Sequence, residues 1–186
     1  EISFLTSERM AGQNLKAAWP LAPDITLQSA AEVDPAAADC VFLCLPHTKS
    51  APTAKAAMAK GVIVIDLSAD MRLDTSDAYE QWYKVNHPAP ELLPVVYGLP
   101  EFYRDKIKDA KMIANPGCYA TTMLLPLIPL AKAGQIHSNS KIIVDAKSGT
   151  SGAGRNPKQN ILFSEVHGNL SAYNIGRGHR HIGEVE

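Results

Sequence analysis

A cysteine at the start of a predicted helix is the residue of this sequence best suited to covalent chemistry. In Asn115-Pro116-Gly117-Cys118, a turn of Pro and Gly delivers the cysteine to the first turn of the helix that follows. Free backbone N–H groups and the helix dipole stabilise negative charge there, which favours a nucleophilic thiolate. The same N–H groups, with the Asn115 side chain, are suited to hold a developing oxyanion. A buried cysteine that only begins a helix is the alternative interpretation.

Two histidines near the other end of the sequence are suited to carry the proton that thiol chemistry requires. His179 and His181 flank Arg180 and are followed by Glu184. Imidazole exchanges protons near neutral pH, and the planar guanidinium of Arg180 can hold a carboxylate or a phosphate. A polar surface turn before a helix is the alternative interpretation. We expect no metal, because the two histidines have no cysteine or third histidine nearby.

Residues 147–155 form a Gly/Ser loop that directly follows a predicted strand. It can bring many backbone N–H groups against an anion. It is neither a dinucleotide fingerprint nor a P-loop, and a flexible connection is the alternative interpretation. Its candidate anion contacts are Ser148, Gly149, Ser151 and Gly152.

The loop after the first predicted strand bears on the choice between NAD and NADP. Dinucleotide folds read the adenine ribose there: an acidic residue selects the 2′-hydroxyl, whereas hydroxyl and Arg groups accept a 2′-phosphate. Glu8 favours NAD, and Ser7 and Arg9 favour NADP. We expect NADP(H). Pro46, with His47 beside it, is a further candidate for the cofactor channel, although a lone histidine is more often structural.

The elements that position these residues alternate short β-branched runs with helical stretches, which predicts parallel strands joined by crossovers. Strands are predicted at residues 2–6, 40–45, 62–67 and 112–114, with a further strand at 141–146 that opens a second unit. Helices are predicted at 50–60, 76–84 and 118–133. The proline-rich residues 86–100 are predicted to form an extended connection over the surface.

Ligands of an open parallel sheet gather at the carboxyl ends of its strands. The loops after four strands should therefore lie along one edge, where Ser7, Pro46, Ser68 and Asn115 become candidate cofactor contacts. The predicted fold class is α/β. From the residues alone we expect a parallel-sheet domain at residues 1–117 and a second α/β unit at residues 118–186.

The composition narrows the class of protein. Hydrophobic residues make up 46% of the chain, charged residues 20%, and the net charge is −1, which is typical of a globular protein. Lys and Arg are scattered, so nucleic acid is not an expected partner. The longest apolar run, residues 123–131, contains two prolines and is too short to span a membrane. Cys40 and Cys44 are predicted to be a buried, reduced pair, which fits a cytoplasmic protein.

Together these motifs resemble N-acetyl-gamma-glutamyl-phosphate reductases, enzymes of arginine biosynthesis. The resemblance runs from end to end and depends on residues 5–12, 66–73, 97–101, 115–119 and 148–155, and on His179-Arg180-His181 with Glu184. It implies that the Gly/Ser loop contacts the cofactor through Ser148, Gly149, Ser151 and Gly152. It also implies that residues 1–117 are an NADP-binding Rossmann-type domain and that residues 118–186 begin a catalytic and dimerisation α/β domain of the glyceraldehyde-3-phosphate and aspartate-semialdehyde dehydrogenase type. Both are expected to be incomplete, since the family's first strand, its glycine-rich loop and the rest of the catalytic domain are absent from the sequence.

The resemblance also implies a reaction. Cys118 would accept the acyl group of N-acetyl-gamma-glutamyl phosphate, phosphate would leave, and NADPH would reduce the thioester to an aldehyde. Either His179 or His181 would be the acid/base. Ala120 and Gly183 stand where proline is usual in the family, a change that removes no reactive group.

Arginines and Asn115 are the candidate substrate contacts under this resemblance. Arg155, Arg177 and Arg180 could hold the phosphate or the carboxylate of the substrate. A homodimer or homotetramer is expected, as is common among related reductases. Three alternatives stay open: an aspartate-semialdehyde-type reductase of another acyl phosphate, a cofactor-free cysteine/histidine hydrolase, and a catalytically silent nucleotide-binding module.

Overall fold

The computed structural model describes residues 1–154, 156 and 158–186. These residues form two compact units, Glu1–Asn115 and Pro116–Glu186. Arg155, one of the candidate substrate contacts, lies outside the described residues. The domain boundary expected between residues 117 and 118 stays a prediction.

A four-stranded parallel sheet is the frame of the first unit. Its strands are β1 (Cys40–Leu43), β2 (Ile63–Asp66), β3 (Val96–Tyr97) and β4 (Met112–Ala114), in the spatial order β1-β2-β4-β3. Cys40 of β1 lies opposite Ile63, and Met112 of β4 lies opposite Val64. Because every pair is parallel, the carboxyl ends of all four strands lie at one edge of the sheet. The predicted α/β class with a parallel sheet is confirmed.

The helices of the described residues connect the strands and continue into the second unit. The α-helices are α1 (Ser50–Met58), α2 (Ser76–Tyr83), α3 (Pro100–Lys108), α4 (Cys118–Lys132) and α5 (Phe163–Val166). Short 3-10 helices occupy Glu8–Met10, Leu15–Ala17, Ala30–Glu32, Pro35–Ala37, Pro90–Leu92, Thr150–Ala153, Gln159–Ile161 and Arg180–Glu184. The three predicted helices are confirmed, with ends that differ by two residues at most.

The core of the first unit lies where α1 packs on the sheet. Ala51, Ala54 and Ala57 recur every third residue on one face of the helix and are buried against Val64 and Ala114. These small side chains let the helix backbone approach the strands closely, which removes apolar surface from water.

The second unit is organised around α4. This helix carries Pro126 and Pro129, which lack the N–H that would bond to the preceding turn. Much of the remaining described chain between residues 133 and 186 is irregular or in 3-10 turns. In the part of the chain that the structure describes, no helix is both long enough and apolar enough to cross a membrane.

Two predicted strands are wrong. Residues 2–6 make only an isolated parallel bridge, Thr6 to Gln28, with the Gln28 N–H donating to the Leu5 carbonyl at 3.0 Å. Residues 141–146 have no regular structure, and Ile143 is 90% exposed. A β-branched run forms a strand only beside a neighbour that pairs with its backbone. In the described residues, these segments lack such a neighbour over their length.

Three other expectations need correction. Residues 86–100 are not simply a surface connection, because they include β3 and bury Ala89 and Leu99. Helix α3 directly follows them and was not predicted. Cys40 is half-buried and Cys44 is exposed, both as free thiols. The burial expected for this pair is therefore wrong, because Cys40 lies on the same face of β1 as Phe42, which is 63% exposed, and Cys44 follows the end of the strand at Leu43.

Candidate active site

Cys118 is the first residue of α4, as predicted. Gly117 precedes it in an extended conformation, with φ −67° and ψ 148°, and supplies no side-chain cap. The Thr121 N–H donates to the Gly117 carbonyl at 2.8 Å, which closes the first turn. Cys118 is exposed, so the interpretation of a buried cysteine is wrong. The structure instead places an accessible thiol at the positive end of a fifteen-residue helix.

Glu184 joins the turn before the cysteine to His181. Its Oε2 accepts a hydrogen bond from the Gly117 N–H at 2.9 Å, and its Oε1 lies 3.9 Å from His181 Nε2. The side chain of Glu184 is completely buried and that of His181 is 9% exposed. A methyl group on Gly117 would lie 2.7 Å from both Glu184 Oε1 and His181 Nε2. Carboxylate, imidazole and the turn before the nucleophile therefore form one packed group.

The backbone fixes the tautomer of His179. The His181 N–H donates to His179 Nδ1 at 3.2 Å, so neutral His179 carries its hydrogen on Nε2. Nε2 lies 3.3 Å from the Tyr173 hydroxyl oxygen, which accepts that hydrogen. Burial first, and then the charge of Arg180, lower the pKa of His179 below its ordinary 6.5, against the opposing charge of Glu184. The fold therefore favours the neutral imidazole.

Two tyrosines surround His179. The Tyr119 ring meets it edge-on with centroids 5.2 Å apart, and the Tyr173 ring lies at 5.5 Å. Burial first, and then a hydrogen bond with Tyr119, raise the pKa of Tyr173 to about 12; negative charge on Cys118 acts in the same direction. Tyr173 therefore keeps its proton throughout the neutral range. Charges on Tyr119 and Cys118 therefore act on the Tyr173 hydroxyl, which in turn contacts His179.

A cavity of about 430 Å³ opens beside these rings. Tyr119, Tyr173 and His179 line it together with Met123 and Ser148. Its size falls within the range of small-molecule sites, which combine apolar walls with a few placed polar groups. The structure thus brings two residues of the predicted Gly/Ser loop, Lys147 and Ser148, to the same cavity as a predicted catalytic histidine.

The Gly/Ser loop itself folds into the 3-10 helix Thr150–Ala153. A methyl group on Gly152 would lie 2.5 Å from Ser148 Oγ, whereas at Gly149 the nearest atom would be 3.8 Å away. Residues 147–154 of the loop are exposed. Its contact with a cofactor, through Ser148, Gly149, Ser151 and Gly152, stays a prediction.

In the loop predicted to face the adenine ribose, the acidic residue Glu8 is hydrogen-bonded within the protein. The Glu8 carboxylate accepts hydrogen bonds from Ser29 Oγ at 3.0 and 3.1 Å and from the Ala30 N–H at 2.8 Å. Arg9 is exposed and Ser7 is half-buried. The carboxylate that would select a ribose hydroxyl is thus turned to the start of the 3-10 helix Ala30–Glu32.

Three other predicted contacts lie after strands of the sheet. The main chain of Asn115 is held on both sides, since its N–H donates to the Asp66 carbonyl at 2.8 Å and its carbonyl accepts from Arg72 Nε at 2.9 Å. Ser68 is buried, and its hydroxyl donates to Asp66 Oδ2 at 2.7 Å. Pro46 is exposed. Cofactor contacts by these residues stay predictions.

Sequence reasoning missed Tyr119 and Tyr173 and gave Glu184 no separate role. An aromatic residue directly after the candidate nucleophile was a usable signal for Tyr119. Nothing in the local sequence marks Tyr173, which reaches His179 from an irregular segment.

The fold and the site define a protein with a Rossmann-type nucleotide-binding unit and a cysteine–histidine group at a helix start in a second unit. Residues 1–110 match the family model described as semialdehyde dehydrogenase, NAD binding domain, and residues 118–186 match semialdehyde dehydrogenase, dimerisation domain. The chain belongs to the semialdehyde dehydrogenase family.

Curated relatives confirm the resemblance found in the motifs. The chain is 46% identical over 190 residues to N-acetyl-gamma-glutamyl-phosphate reductase of Rhodopirellula baltica, covering 100% of the chain and 54% of the relative. It is 52% identical over 150 residues to the reductase of Heliobacterium modesticaldum, covering 80% of the chain and 42% of the relative. A probable chloroplastic reductase of Arabidopsis thaliana is 45% identical over 191 residues, covering 100% of the chain and 47% of the relative. The chain spans about half the length of the curated relatives it matches.

Solved structures agree with the fold. Aspartate semialdehyde dehydrogenase II of Vibrio cholerae is similar with a TM-score of 0.51 and 25% identity, covering 70% of this chain and 34% of that one. A second crystal structure of the Vibrio cholerae enzyme, complexed with ASA, gives the same TM-score at 24% identity and covers 37% of that chain.

Proposed function

We propose that the protein reduces N-acetyl-gamma-glutamyl phosphate to N-acetylglutamate 5-semialdehyde with NADPH, releasing phosphate, as a step of arginine biosynthesis. The observation that carries the proposal is the packed group formed by the turn before Cys118, Glu184 and His181. It lies in a chain whose whole length aligns with reductases of this name.

Cys118 is the nucleophile in this mechanism. Its thiolate attacks the acyl carbon, the bond from that carbon to the phosphate oxygen breaks, and phosphate leaves with the electron pair. The N–H groups of the first turn of α4 face the charge that develops on the acyl oxygen. A thioester on Cys118 results, so that one difficult displacement becomes two easier steps.

NADPH, when bound, supplies the hydride that reduces the thioester carbon. Protein residues then transfer a proton to and from the substrate oxygen. An imidazolium protonates this oxygen as negative charge builds on it. The resulting imidazole removes the proton again as the aldehyde forms and the thiolate leaves. We assign this role to His181. Its Nε2 borders Gly117, the residue before the nucleophile, and Glu184 lies 3.9 Å away, where it stabilises the imidazolium.

His179 then has a different task. Its Nδ1 is occupied by the His181 N–H and its Nε2 by the Tyr173 hydroxyl. It therefore orients the backbone of His181 and forms one wall of the cavity that would take the acyl group. His181→Asn should lower kcat by about 10² to 10⁴, and His179→Asn should lower it much less.

NADP is the cofactor that the first unit fits better. A 2′-hydroxyl would need a carboxylate, and that of Glu8 is bound to Ser29 and Ala30. Ser7 and Arg9 would hold the 2′-phosphate instead. Removing the Arg9 guanidinium, as in Arg9→Ala, should weaken NADPH binding by roughly tenfold or more and leave NADH binding unchanged, since a charged hydrogen bond is worth about 1.5–3 kcal/mol. Isothermal titration with both nucleotides measures this preference.

We propose further that the full-length protein is a homodimer or homotetramer in the cytoplasm. The second unit matches a dimerisation domain and exposes large apolar residues, among them Ile143, Phe163 and Ile175. An apolar surface of this kind is typical of an interface. Light scattering on the full-length protein gives the oligomeric state.

The test of the activity follows NADPH absorbance while the full-length protein meets N-acetylglutamate semialdehyde, phosphate and NADP. Activity that disappears in Cys118→Ser supports the substrate and the nucleophile together. Activity only with aspartate semialdehyde would replace the substrate, and hydrolysis of an acyl substrate without nucleotide would replace the class of reaction.

A further inference from the structure

A buried carboxylate ties together the loops that follow β1 and β2. Asp70 is fully buried, and its two oxygens accept three hydrogen bonds. Oδ1 accepts from the Thr48 N–H at 2.7 Å and from the Tyr79 hydroxyl at 2.9 Å, and Oδ2 accepts from the Ala51 N–H at 3.0 Å. Two of the three donors belong to the backbone at and just before the start of α1.

These two backbone bonds hold a conformation that the local sequence does not favour. Thr48 has φ +70°, in the left-handed region that a β-branched residue rarely adopts. Lys49, the cap of α1, makes no side-chain cap hydrogen bond. Asp70 thus takes the place of a capping residue from another loop, and it fixes Thr48 at the same time.

Asp70 is itself held rigidly. Its N–H donates to Ser68 Oγ at 3.0 Å, and its carbonyl lies 2.6 Å from His87 Nε2. The Ser68 hydroxyl continues to Asp66, which also accepts from Ser50 Oγ at 2.5 Å. Burial first, and then the bond to Asp70, raise the pKa of Tyr79, so its hydroxyl stays a donor. The position of the Asp70 carboxylate is therefore fixed by these contacts, and the carboxylate sets the conformation of the loop that contains Thr48.

We propose that Asp70 is a positioning residue for the nicotinamide cofactor, because it fixes the conformation of residues 46–49 at the carboxyl edge of the sheet before the cofactor binds. The proposal rests on the function proposed above. A loop already ordered at a binding edge loses little entropy on binding, and the carboxyl ends of β1 and β2 are where dinucleotides lie in such sheets. Without this anchor, residues 46–49 would have to be ordered by the ligand.

Asp70→Asn in the full-length protein tests the proposal. The amide replaces one acceptor by a donor and must set it against one of the donors that now face the carboxylate. NADPH titration should show Kd raised about tenfold or more, as for loss of a charged hydrogen bond. The kcat at saturating NADPH should stay within about threefold of the parent, because uniform binding is lost rather than transition-state stabilisation.

Tyr79→Phe is the matched control. It removes the third donor to Asp70 but leaves the bonds to Thr48 and Ala51, so it should lower the melting temperature without moving the Kd for NADPH. The second variant, Asp70→Asn with Thr48→Gly, should recover much of the affinity lost by Asp70→Asn alone, since glycine adopts a positive φ without strain. If Asp70→Asn does not fold, the exchange rate of the Thr48 amide in the parent replaces it, and protection without NADPH is the expected result.

Several outcomes would overturn the proposal. An unchanged Kd in Asp70→Asn, equal losses of affinity in Asp70→Asn and Tyr79→Phe, or a Thr48 amide that exchanges as fast as an unstructured peptide would each do so. The first three results leave the proposed function standing, as long as the parent binds NADPH. A parent protein that binds neither NADPH nor NADH would refute the proposed function and the role of Asp70 together.

Discussion

Gly117→Ala should displace the two buried groups beside the nucleophile. Alanine tolerates the backbone angles of residue 117, φ −67° and ψ 148°, so the backbone conformation is not the obstacle. The added methyl group would lie 2.7 Å from Glu184 Oε1 and from His181 Nε2. Ordinary contacts are about 3.5 Å long, so these atoms must shift by about 0.8 Å.

The cost of that shift has two parts. Overpacking a tight site destabilises a protein by about 1–3 kcal/mol. Misplacing catalytic groups by about 1 Å can cost about 10² in rate. In Gly117→Ala the shift of Glu184 would also strain the hydrogen bond that its carboxylate accepts from the residue 117 N–H, which is 2.9 Å long in the parent. We therefore expect kcat/KM to fall about 10²-fold, with a clear loss of thermal stability.

Gly98→Ala is the control that separates these two parts. Its methyl group would lie 2.8 Å from Ile113 Cγ2 and 3.0 Å from the Ala114 carbonyl oxygen, inside the sheet. The variant should lose stability as Gly117→Ala does, but keep the kcat/KM of the parent at a temperature where both variants are folded. Steady-state kinetics gives kcat/KM for each variant, and calorimetry gives its melting temperature. Equal kcat/KM in Gly117→Ala and the parent would show that the packed group is not the catalytic centre.

Three further predictions concern the charges around the histidines. Glu184→Gln should lower kcat about tenfold or more through loss of imidazolium stabilisation, measured by steady-state kinetics; an unchanged kcat would refute a role for the carboxylate. Arg180→Gln should raise the pKa of His179 in an NMR titration, because the arginine charge lowers it. Since that pKa lies below 6.5 in the folded state, His179 contributes stability that is present above pH 6.5 and lost as the pH falls through the folded value. A parent whose melting temperature rises on acidification through this range would contradict the account.

The parallel sheet and three helices were predictable because their signals are local. Apolar β-branched residues mark β2 and β4, and α4 begins directly after a Pro-Gly turn. The errors arose where structure depends on a distant partner. Residues 141–146 have the composition of a strand, but in the described chain no neighbour pairs with them. Helix α3 begins at Pro100, which local reasoning treated as the end of a surface connection.

The residues of the candidate site were likewise predictable only in part. Cys118 and the two histidines were predictable from residue type and spacing. The role of Glu184 was not, because its bond to Gly117 joins residues 67 positions apart. The role of Asp70 was not predictable for a similar reason, because its partners Thr48, in the loop after β1, and Ala51, in the first turn of α1, lie 22 and 19 positions away. Residue patterns show which groups can react, whereas the contacts that hold them come from the tertiary fold.

The covalent role of Cys118 is the central claim, and trapping the thioester tests it most directly. The full-length protein is mixed with N-acetylglutamate semialdehyde and NADP without phosphate, so that oxidation of the aldehyde leaves the acyl group on the thiol and forms one NADPH for each active site. Peptide mass spectrometry should then find an N-acetylglutamyl thioester on Cys118 and none in Cys118→Ser. NADPH formation with no adduct on Cys118, or with an adduct on Cys40 or Cys44, would contradict the mechanism.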